Sequence, residues 1–421
     1  MELNDDMAAH DSLPQRKIEK RKLTEHSCQE EAQLLEGQLL ELSEDLIHEM
    51  GKRLINYADY VRFRSTCKPL KSMLPKTPNH QLSQVPWLML PRENVSETRI
   101  SFLNPLENKK YSLDIPELHG KLFRGSSHGW ILAVYGHPEL FLINPFTRAQ
   151  IQLPPLDTFP NVLRYDPDDE DEEYLIVRER TQSIYSQSVD YFRKAYLHKV
   201  VLSSSPTSKE YIAMAIYGYF TYLAFCKSGD KKWTQVQPVQ NYEDVISHDG
   251  KFYALAVGGS IWVGDATSLP KMMRFEPSFR LQLEYKRSFV RMTSGELVIV
   301  GRLLEWKRIG WKRYLITTHC RLFKLDQRRL KWSKVISIGD DAFFIGRNNS
   351  LSISSQNLPS GWSKNCIYFS DDFTEGGLHE DGIDNGMYDL KNRRIEAMPG
   401  YVSDSVAVWP GPIWVVPNPC P

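Results

Sequence analysis

The first clear hydrophobic periodicity in the chain is that of a helix. In LSEDLIHEMGKRLI, the apolar residues Leu46, Ile47, Met50 and Leu54 recur at the spacing of one helical face. Ser43 stands where an N-cap is expected, and the acidic pair after it suits the positive end of a helix dipole. The pattern therefore predicts an amphipathic helix, which Gly51 weakens.

Two shorter helices follow in the pattern. YVRFRSTCK places Tyr60, Phe63 and Cys67 on one face, with Asp59 well placed to start the helix, and Pro69 suits the first turn of a third helix, PLKSML. Three short helices have too little interior to bury all of these apolar groups. Some of them must face a partner or the rest of the chain, so a partner-binding domain and a helical cap on the next domain are both consistent.

From Trp87 onward the pattern changes to short, alternating or aromatic-rich segments broken by turns. Examples are GWILAVYG, HKVVLSS, KFYALAVGGSIWVGD, ELVIVGRLL, LITTHCRLFKLD and NCIYFSDD. No long segment with helical periodicity interrupts them. This pattern predicts an all-β region.

Two phrases repeat along this β region. FLNPLENKKYSLDIP and LINPFTRAQIQLPP place Asn104-Pro105 and Asn144-Pro145 about 40 residues apart, and FKLDQRRLKWSKV and YDLKNRRIEAMP keep the same order of strand, turn and strand. SSHGWILAV, SHDGKFYALAV and MTSGELVIV each lead from a polar-Gly turn into an apolar strand. A period of about 40–50 residues predicts a β-propeller of six to eight blades, and a pair of β-sandwiches is the structural alternative.

Composition narrows the class of protein. The 421 residues contain 52 Lys+Arg and 52 Asp+Glu, so no global basic field predicts nucleic-acid binding. The six cysteines, Cys28, Cys67, Cys226, Cys320, Cys366 and Cys420, have no metal-ligand spacing and are expected to be reduced and mostly buried. No signal peptide or membrane span is expected. RKIEKRK is interpreted as a solvated basic run in a flexible tail, with a nuclear signal as the alternative.

Candidate catalytic groups are few. Ser126, Ser127 and His128 stand together but fall at a predicted turn, and Asp371 and Asp372 follow a predicted strand, so structural roles are favoured over a nucleophile or an acid–base pair. Motifs for a nucleophile elbow, a zinc protease or a phosphate-binding loop are absent from the sequence. We therefore expect neither a metal nor a cofactor.

Two charged segments each have a structural and a functional interpretation. DPDDEDEEY, residues 166–174, is favoured as a solvated loop, with a cation or a basic partner as the alternative. WKRIGWKRY, residues 306–314, is favoured as an exposed hairpin, with stacking on a nucleic acid as the alternative. The basic tip of such a hairpin could also contact an acidic substrate protein.

The helical segment resembles an F-box. The matching positions are Leu42, Asp45, Leu46, Ile47, Met50, Leu54, Asp59, Arg62, Arg64, Cys67 and Lys68. Ser43 replaces the usual proline, and Leu70 replaces the usual tryptophan. The resemblance implies a helical hook for the Skp-type adaptor of a cullin-based ubiquitin ligase, with Leu42, Leu46, Ile47 and Met50 as contact residues. Leu54, Phe63 and Cys67 are expected to hold the helices together.

The β region resembles the plant F-box family with a KIB-type β-propeller. The phrases RGSSHGWILAV, LFLINPFTRAQIQLPP, YLAFCKSGDKKWT, YEDVISHDGKFYAL, GDDAFFIGRNNSLSIS, NCIYFSDD and PIWVVPNP carry the resemblance. The expected fold is mainly β with a small α domain. A polar tail spans 1–40, the F-box 41–76, a linker 77–86 and the propeller 87–421.

This second resemblance implies a non-catalytic substrate receptor of a ubiquitin ligase, located in the nucleus, the cytoplasm or both. Its partners would be the Skp-type adaptor and a target protein, which in some relatives is thought to be a protein kinase. No nucleic acid and no membrane are expected as partners. The alternative is a propeller enzyme or ligand-binding protein with an unused helical cap. Ionisable residues converging in the central channel would favour that alternative, and an apolar or hydroxyl-lined channel would count against it.

Overall fold

The computed structural model describes residues 42–418 with gaps. The gaps are 55, 76–77, 79–84, 93, 95, 136–137, 167–172, 179–180, 208–209, 276–284, 311, 327, 330, 373–383 and 402–410. The chain separates into two compact units, 1–83 and 84–421, and this division falls within the segment predicted to be a linker. The predicted tail, including RKIEKRK, lies outside the described residues.

The first unit contains three short helices: α1 (Glu44–Arg53), α2 (Tyr57–Ser65) and α3 (Lys68–Met73). Ser43 is the N-cap of α1, where its hydroxyl accepts a hydrogen bond from the Leu46 amide at 3.3 Å, as the sequence predicts. Pro69 lies in the first turn of α3, where a missing N–H costs nothing.

The helical unit has a small apolar core of its own, made of Ile47, Tyr60, Cys67, Leu70 and Leu74. This core explains the glycine inside α1. A Cβ atom at position 51 would lie 2.9 Å from a methyl carbon of Leu74, so only glycine lets α1 approach the end of α3 this closely.

The second unit is mainly β, as predicted. Seven sheets are described there, and six of them have four or five strands. Sheet 1 contains β1 (Trp87–Met89), β2 (Arg99–Asn104), β3 (Lys109–Asp114) and the last strand, β28 (Ile413–Val415), in the order β28-β1-β2-β3. Sheet 2 contains β4 (Leu122–Ser127), β5 (Trp130–Val134), β6 (Leu140–Ile143) and β7 (Gln150–Leu153). Sheet 3 contains β11 (Leu197–Leu202), β12 (Ile212–Tyr217), β13 (Tyr222–Lys227) and β14 (Thr234–Gln235).

Sheets 4 and 5 repeat the simple antiparallel order. Sheet 4 contains β15 (Tyr242–His248), β16 (Lys251–Ala256), β17 (Ile261–Asp265) and β18 (Met273–Phe275). Sheet 5 contains β19 (Tyr285–Arg291), β20 (Leu297–Ile309), β21 (Lys312–Asp326) and β22 (Lys331–Val335). Sheet 6 contains β23 (Asp341–Ile345), β24 (Leu351–Ser354), β25 (Cys366–Phe369), β26 (Gly386–Asp389) and β27 (Arg394–Glu396) in the order β24-β23-β25-β26-β27, with β23 and β25 parallel.

The six sheets pack side by side as the blades of a propeller. The first strands of sheets 2, 3, 4 and 5 contact one another in chain order, β4 also contacts β28, and β19 contacts sheet 6. Sheet 6 returns to sheet 1 through a shared apolar cluster that includes Leu88, Phe344, Tyr368 and Trp414. Strand β28 closes the ring because it pairs antiparallel with β1 and so completes sheet 1.

A three-stranded sheet is inserted between sheets 2 and 3, and the sequence patterns do not predict it as a unit. It contains β8 (Val162–Tyr165), β9 (Glu173–Arg178) and β10 (Ser183–Ser188), followed by a helical turn, α4 (Val189–Tyr191), and a π-helical turn (Phe192–Tyr196). The rings of Tyr165, Tyr174, Phe192 and Tyr196 stack in series with centroids 4.3, 3.7 and 4.0 Å apart. This aromatic stack belongs to the core between the inserted sheet and its neighbours.

The repeated Asn-Pro phrase occupies the same place in two neighbouring blades. Asn104 ends β2 and Asn144 follows β6, so each residue begins the turn between the third and fourth strands of its sheet. The Asn144 side-chain oxygen accepts hydrogen bonds from the amides of Phe146 and Thr147 at 3.0 and 3.2 Å. Asp326 in sheet 5 and Asp389 in sheet 6 accept the equivalent bonds in their turns. The phrase is therefore an Asx turn, and sheets 1, 2, 5 and 6 all use it.

The second repeated phrase forms turns between first and second strands. His128 and Gly129 have φ angles of 51° and 82°, and Asp249 and Gly250 have angles of 47° and 73°. Two successive positive φ angles are typical of the tight turns that match the twist of a hairpin. Both repeats therefore confirm the prediction that the phrases describe blade hairpins.

Asn144 differs from the other turn residues because its side-chain nitrogen Nδ2 also donates a hydrogen bond to the Asn418 carbonyl oxygen at 2.8 Å. We expect Asn144→Ala to lower the free energy of unfolding of the propeller by about 2–3 kcal/mol. The Phe146 and Thr147 amides and the Asn418 carbonyl oxygen would each lose a hydrogen bond to the Asn144 side chain. Asp326→Ala, which removes only a local turn, should cost about 1 kcal/mol or less. Urea denaturation measures both costs, and equal costs would show that the contact with Asn418 contributes nothing.

Candidate functional site

The helical unit presents an apolar stripe on the outer side of α1. Leu46 and Met50 are one helical turn apart and are 47% and 37% exposed, so they form a continuous apolar surface on one side of the helix. Leu42 lies one turn before Leu46 and is partly buried against the helical core. Leu42, Leu46 and Met50 are called the α1 stripe below.

The structure corrects the prediction that Ile47 is one of the partner-contact residues. Its side chain is only 1% exposed and lies in the core formed with Tyr60, Cys67, Leu70 and Leu74. One face of an amphipathic helix extends over about 100°, and within it the residues at positions 46 and 47 point in different directions. Ile47 therefore stabilises the unit, and the outward positions are those of the α1 stripe.

Several motif residues of the helical unit have a structural role. Cys67 lies in the core, and Leu54 and Phe63 pack against it. The Arg64 side chain donates to the Leu74 carbonyl oxygen at 3.0 Å, and the Tyr60 hydroxyl donates to the Pro75 carbonyl oxygen at 2.7 Å. These bonds hold the chain after α3 against α2.

The first strands of the propeller bring buried charges together along its axis. Lys199 of β11 and Asp244 of β15 form an ion pair at 2.5 Å, and the other oxygen of Asp244 accepts from the Phe289 amide of β19 at 2.7 Å. Arg287 of β19 pairs with Glu243 of β15. Each of these pairs joins neighbouring blades at the point where the sheets are closest.

The acidic pair after β25 belongs to this charged set. Asp372 pairs with Arg302 and, at 3.1 Å, with Lys286. Burial alone would raise the pKa of Asp372, but Arg302 and Lys286 outweigh it and hold that pKa well below its usual range. Asp384, the second acid bound to Arg302, has its pKa raised to about 6, mainly by burial. The two carboxyl groups therefore differ in pKa although they share one arginine.

His198 lies among cations contributed by three different blades. Its Nε2–H donates to the Gly218 carbonyl oxygen, at a distance of 3.0 Å. Burial is the largest cause that lowers the pKa of His198, and together with the charges of Lys286, Arg124 and Arg347 it brings that pKa to about 4 against the effect of the hydrogen bond. The sequence patterns did not identify Arg124, Arg302 or Arg347 as buried charges. The signal that could have identified them is an arginine within an apolar strand or shortly after one.

The Ser-Ser-His cluster at the end of β4 has a structural role, as favoured from the sequence. The Ser126 hydroxyl donates to the Trp414 carbonyl oxygen, and the Ser127 hydroxyl accepts from the Leu202 amide at 3.1 Å. The His128 carbonyl oxygen accepts from the Asn418 side chain at 2.9 Å. The cluster thus attaches β4 to the chain end and to the next blade.

WKRIGWKRY forms the tip of the long hairpin β20–β21, which confirms the hairpin interpretation. Trp306 is 53% exposed on this hairpin, and Lys307, Arg308 and Arg313 are exposed to solvent. Most of the acidic run, residues 167–172, lies outside the described residues, and Asp166 pairs with Arg164.

The remaining expectations concern thiols, metals and membranes. Cys67, Cys226, Cys320 and Cys366 are buried free thiols, whereas Cys28 and Cys420 lie outside the described residues. Within the described ranges, no group of three or more His, Cys, Asp or Glu residues has metal-binding geometry. None of the helices described above has the length and apolarity needed to cross a membrane.

The ring of sheets defines the class of protein as a β-propeller protein. The KIB1-4 beta-propeller family matches residues 102–389, which is more than half of the chain, so the chain belongs to this family. Similar curated proteins from Arabidopsis thaliana include "Probable F-box protein At4g22165", 25% identical over 90% of this chain and 96% of that protein. "F-box protein SKIP23" is 22% identical over 89% of this chain and 94% of that protein.

These comparisons confirm the resemblance to plant F-box proteins with a KIB-type propeller. A further relative, "F-box protein At2g26160" from Arabidopsis thaliana, is 25% identical over 79% of this chain and 95% of that protein. A solved structure titled "YCF48 bound to D1 peptide" covers 66% of this chain and 70% of its own with a TM-score of 0.28 and 10% identity, which is too low to support an argument.

The unequal pair Asp372 and Asp384 yields a prediction about stability. Asp372→Asn should lower the free energy of unfolding at pH 7 by about 3–5 kcal/mol, because it leaves Arg302 and Lys286 buried together with less compensation. Asp384→Asn should cost less, since the native Asp384 carboxyl takes up a proton near pH 6.

The pH dependence separates the two acids. A carboxyl whose pKa is raised on folding binds protons more tightly in the native state, so the wild type should gain stability relative to Asp384→Asn as the pH falls from 7 to 5. Relative to Asp372→Asn no change is expected in that window, because the depressed pKa of Asp372 moves its titration below pH 4. Urea denaturation at pH 7, 6 and 5 measures both, and parallel pH profiles would contradict the assignment.

Proposed function

We propose that this protein is the substrate receptor of a cullin-based ubiquitin ligase. Its helical unit binds a Skp-type adaptor and its propeller binds the target protein. The observation that carries the proposal is the α1 stripe, an exposed apolar helical surface on a unit separate from the propeller. The names of the relatives support the proposal. Two of them are named F-box proteins, and the similarity to this chain covers 96% and 94% of their lengths.

The α1 stripe has the chemistry for docking in a partner groove. Leu46 and Met50 follow each other at the i, i+4 spacing by which an amphipathic helix enters an apolar groove. Fully burying an exposed Leu or Met side chain is worth about 1.5–3 kcal/mol. Leu46 and Met50 expose 47% and 37% of their surface, so burying the remainder contributes part of a micromolar affinity. Glu44 and Asp45 at the start of α1 stay solvent-exposed and can contribute to the orientation of a basic partner surface.

The departures from the usual F-box pattern are compatible with a folded helical hook. Ser43 takes over the start of α1 by capping it. Leu70, at the usual tryptophan position, is 1% exposed and fills the core of the unit. Both substitutions therefore act on the interior or the cap of the helical unit, and the α1 stripe remains outside.

A non-catalytic role fits the geometry of the propeller axis. The buried acids there are held by cations or backbone amides of neighbouring blades: Asp244 by Lys199, Asp372 by Arg302 and Lys286, and Asp384 by Arg302. A propeller enzyme or ligand-binding protein remains a second candidate, favoured by the convergence of ionisable groups and by the raised pKa of Asp384. The pH series on Asp372 and Asp384 tests the structural role of these groups.

Adaptor binding tests the proposal directly. We expect Leu46→Asp combined with Met50→Asp to abolish co-purification with a Skp-type adaptor, because two charges would replace the apolar contact. The measurement is a pull-down with purified adaptor, together with circular dichroism of both forms. Full retention of the adaptor by the double variant would remove the α1 stripe as its binding site.

Two control variants distinguish lost contact from lost folding. Val61→Asp places the same charge at an exposed apolar position of α2, 39% exposed, and should leave adaptor binding within about twofold of the wild type. Ile47→Asp should unfold the helical unit and lose binding together with helical signal, because it places a charge in the core.

Substrates should accumulate on the adaptor-deficient form. We expect proximity labelling with the Leu46→Asp, Met50→Asp variant to capture target proteins that the wild type holds only under proteasome inhibition, because the variant cannot present them to the ligase. Protein kinases are the class to examine first, as the family resemblance suggests. We place the protein in the nucleus, the cytoplasm or both, which imaging of a fluorescent fusion tests in the same cells.

A further inference from the structure

A basic cavity of about 60 Å³ lies between the outer hairpins of sheets 5 and 6. Its walls include His319 and Arg321 of β21, Lys334 of β22, Tyr388 of β26 and Arg393 of the turn before β27. A cavity of this size holds several water molecules, which is room for a small oxyanion. Both hairpins are copies of the repeated strand–turn–strand phrase, so the repeat brings two basic turns together.

The charge of this cavity has one sign. Its lining includes the three cations Arg321, Lys334 and Arg393, and the described lining residues include no acid. The nearby carboxylate of Asp389 is used by its own turn, where it accepts from the Lys391 and Asn392 amides at 2.8 and 3.2 Å. Burial lowers the pKa of His319, and Arg321, Lys334 and Arg393 lower it further, so all three cations act on the same histidine.

Hydrogen bonds orient His319 as a donor. Burial raises the pKa of the Tyr388 hydroxyl, and a hydrogen bond with the Cys320 backbone opposes that effect. The same hydroxyl is 2.8 Å from His319 Nδ1 and is free to donate its proton there. A neutral imidazole that accepts at Nδ1 carries its proton on Nε2. The ladder between β20 and β21 shifts register just before His319, the kind of irregularity that re-aims a side chain.

We propose that this cavity binds a phosphorylated side chain on the substrate protein, which makes the propeller a reader of phosphorylated targets. The inference rests on the proposed function as a substrate receptor. Three cations and the imidazole N–H match a phosphate group, which carries a charge of about −1.5 to −2 and three acceptor oxygens. A carboxylate carries a single negative charge and only two acceptor oxygens, so it matches the three cations less well.

An exposed apolar residue at the cavity adds a second contact. Ile336 lines the same cavity and is 66% exposed, directly after β22. A peptide with its phosphate against the cations would bring a neighbouring side chain over Ile336. The pocket therefore selects a phosphorylated residue with an apolar residue close to it in sequence.

Peptide mixtures test this inference with the purified full-length chain. The probes are three degenerate mixtures that are identical except for a fixed phosphoserine, glutamate or serine, and peptides retained on the immobilised protein are identified by mass spectrometry. We expect the phosphoserine mixture to be enriched at least about tenfold over serine, with glutamate in between, because charge-assisted hydrogen bonds to a dianion are the strongest available here. Among retained peptides, apolar residues should be enriched beside the phosphoserine.

Two variants with equal loss of charge provide the control. Arg321→Gln, Lys334→Gln and Arg393→Gln together should remove the enrichment, whereas Lys307→Gln, Arg308→Gln and Arg313→Gln at the tip of the long hairpin should keep it. Equal loss in both variants, or no phosphoserine enrichment by the wild type, would overturn the proposal. So would binding of inorganic phosphate or a single-stranded oligonucleotide at the cavity without peptide enrichment.

Adaptor binding separates this inference from the proposed function. The cavity variant should still bind the Skp-type adaptor like the wild type, since none of its substitutions lies in the helical unit. Absence of phosphopeptide enrichment by the wild type, with its adaptor binding intact, would refute only the cavity proposal. Failure of the wild type to bind the adaptor, with enrichment intact, would refute the ligase and leave a phosphopeptide-binding propeller.

Discussion

The propeller depends on the pairing of a three-residue strand from the end of the chain with its first strand. Trp87, Leu88 and Met89 pair with Val415, Trp414 and Ile413, so sheet 1 is built from both ends of the unit. Trp414 is fully buried and packs edge-on against Phe344 of sheet 6, with ring centroids 5.0 Å apart. Without this strand the ring would expose the inner edge of β1 and the apolar side of sheet 6. The hydrogen bonds of Ser126 and Asn144 to the same terminal segment reinforce the closure from sheet 2.

A closed ring explains why charges are buried along the propeller axis. The first strands of neighbouring sheets approach closely there, and small polar contacts such as Lys199–Asp244 and Asp244–Phe289 connect them. Buried charges are costly unless they are paired, so the position of each acid is fixed by a cation or amide of the adjacent blade. The outer parts of the blades diverge, and cavities such as the one between sheets 5 and 6 can form between them. The buried ion pairs therefore lie between the first strands of the blades, whereas the cavity lies between outer hairpins.

The helical unit and the propeller differ in how much of their apolar surface they bury. The helical unit is small, and its five-residue core leaves Leu46 and Met50 outside, because three short helices cannot cover every apolar side chain. The propeller is large enough to bury its apolar residues between sheets and offers hairpins and turns to a partner. The proposed receptor role requires one surface for the ligase and another for the target, and the α1 stripe and the propeller hairpins are the candidates for these two surfaces.

The sequence alone predicted the elements that local chemistry determines. Helical periodicity, the Ser43 cap and Pro69 predicted the three helices, and period-two segments with repeated turn phrases predicted a mainly β region with blade hairpins. The Asn-Pro phrase was predictive because an Asx turn is made by a side chain and its own neighbouring amides. The favoured roles of Ser126, Ser127 and the β20–β21 hairpin followed from the same local rules.

Tertiary structure decided what depends on residues far apart in the chain. The pattern could not distinguish Ile47 from Leu46, because the direction of the helical core is set by Tyr60 and Leu74. The pairing of β28 with β1, the parallel pairing of β23 with β25, and the inserted sheet with its aromatic stack involve residues whose contacts no local pattern specifies. The same holds for Arg302 between Asp372 and Asp384, and for three cations around His319. A sequence states which charges exist, and only the packing of the blades decides which of them meet.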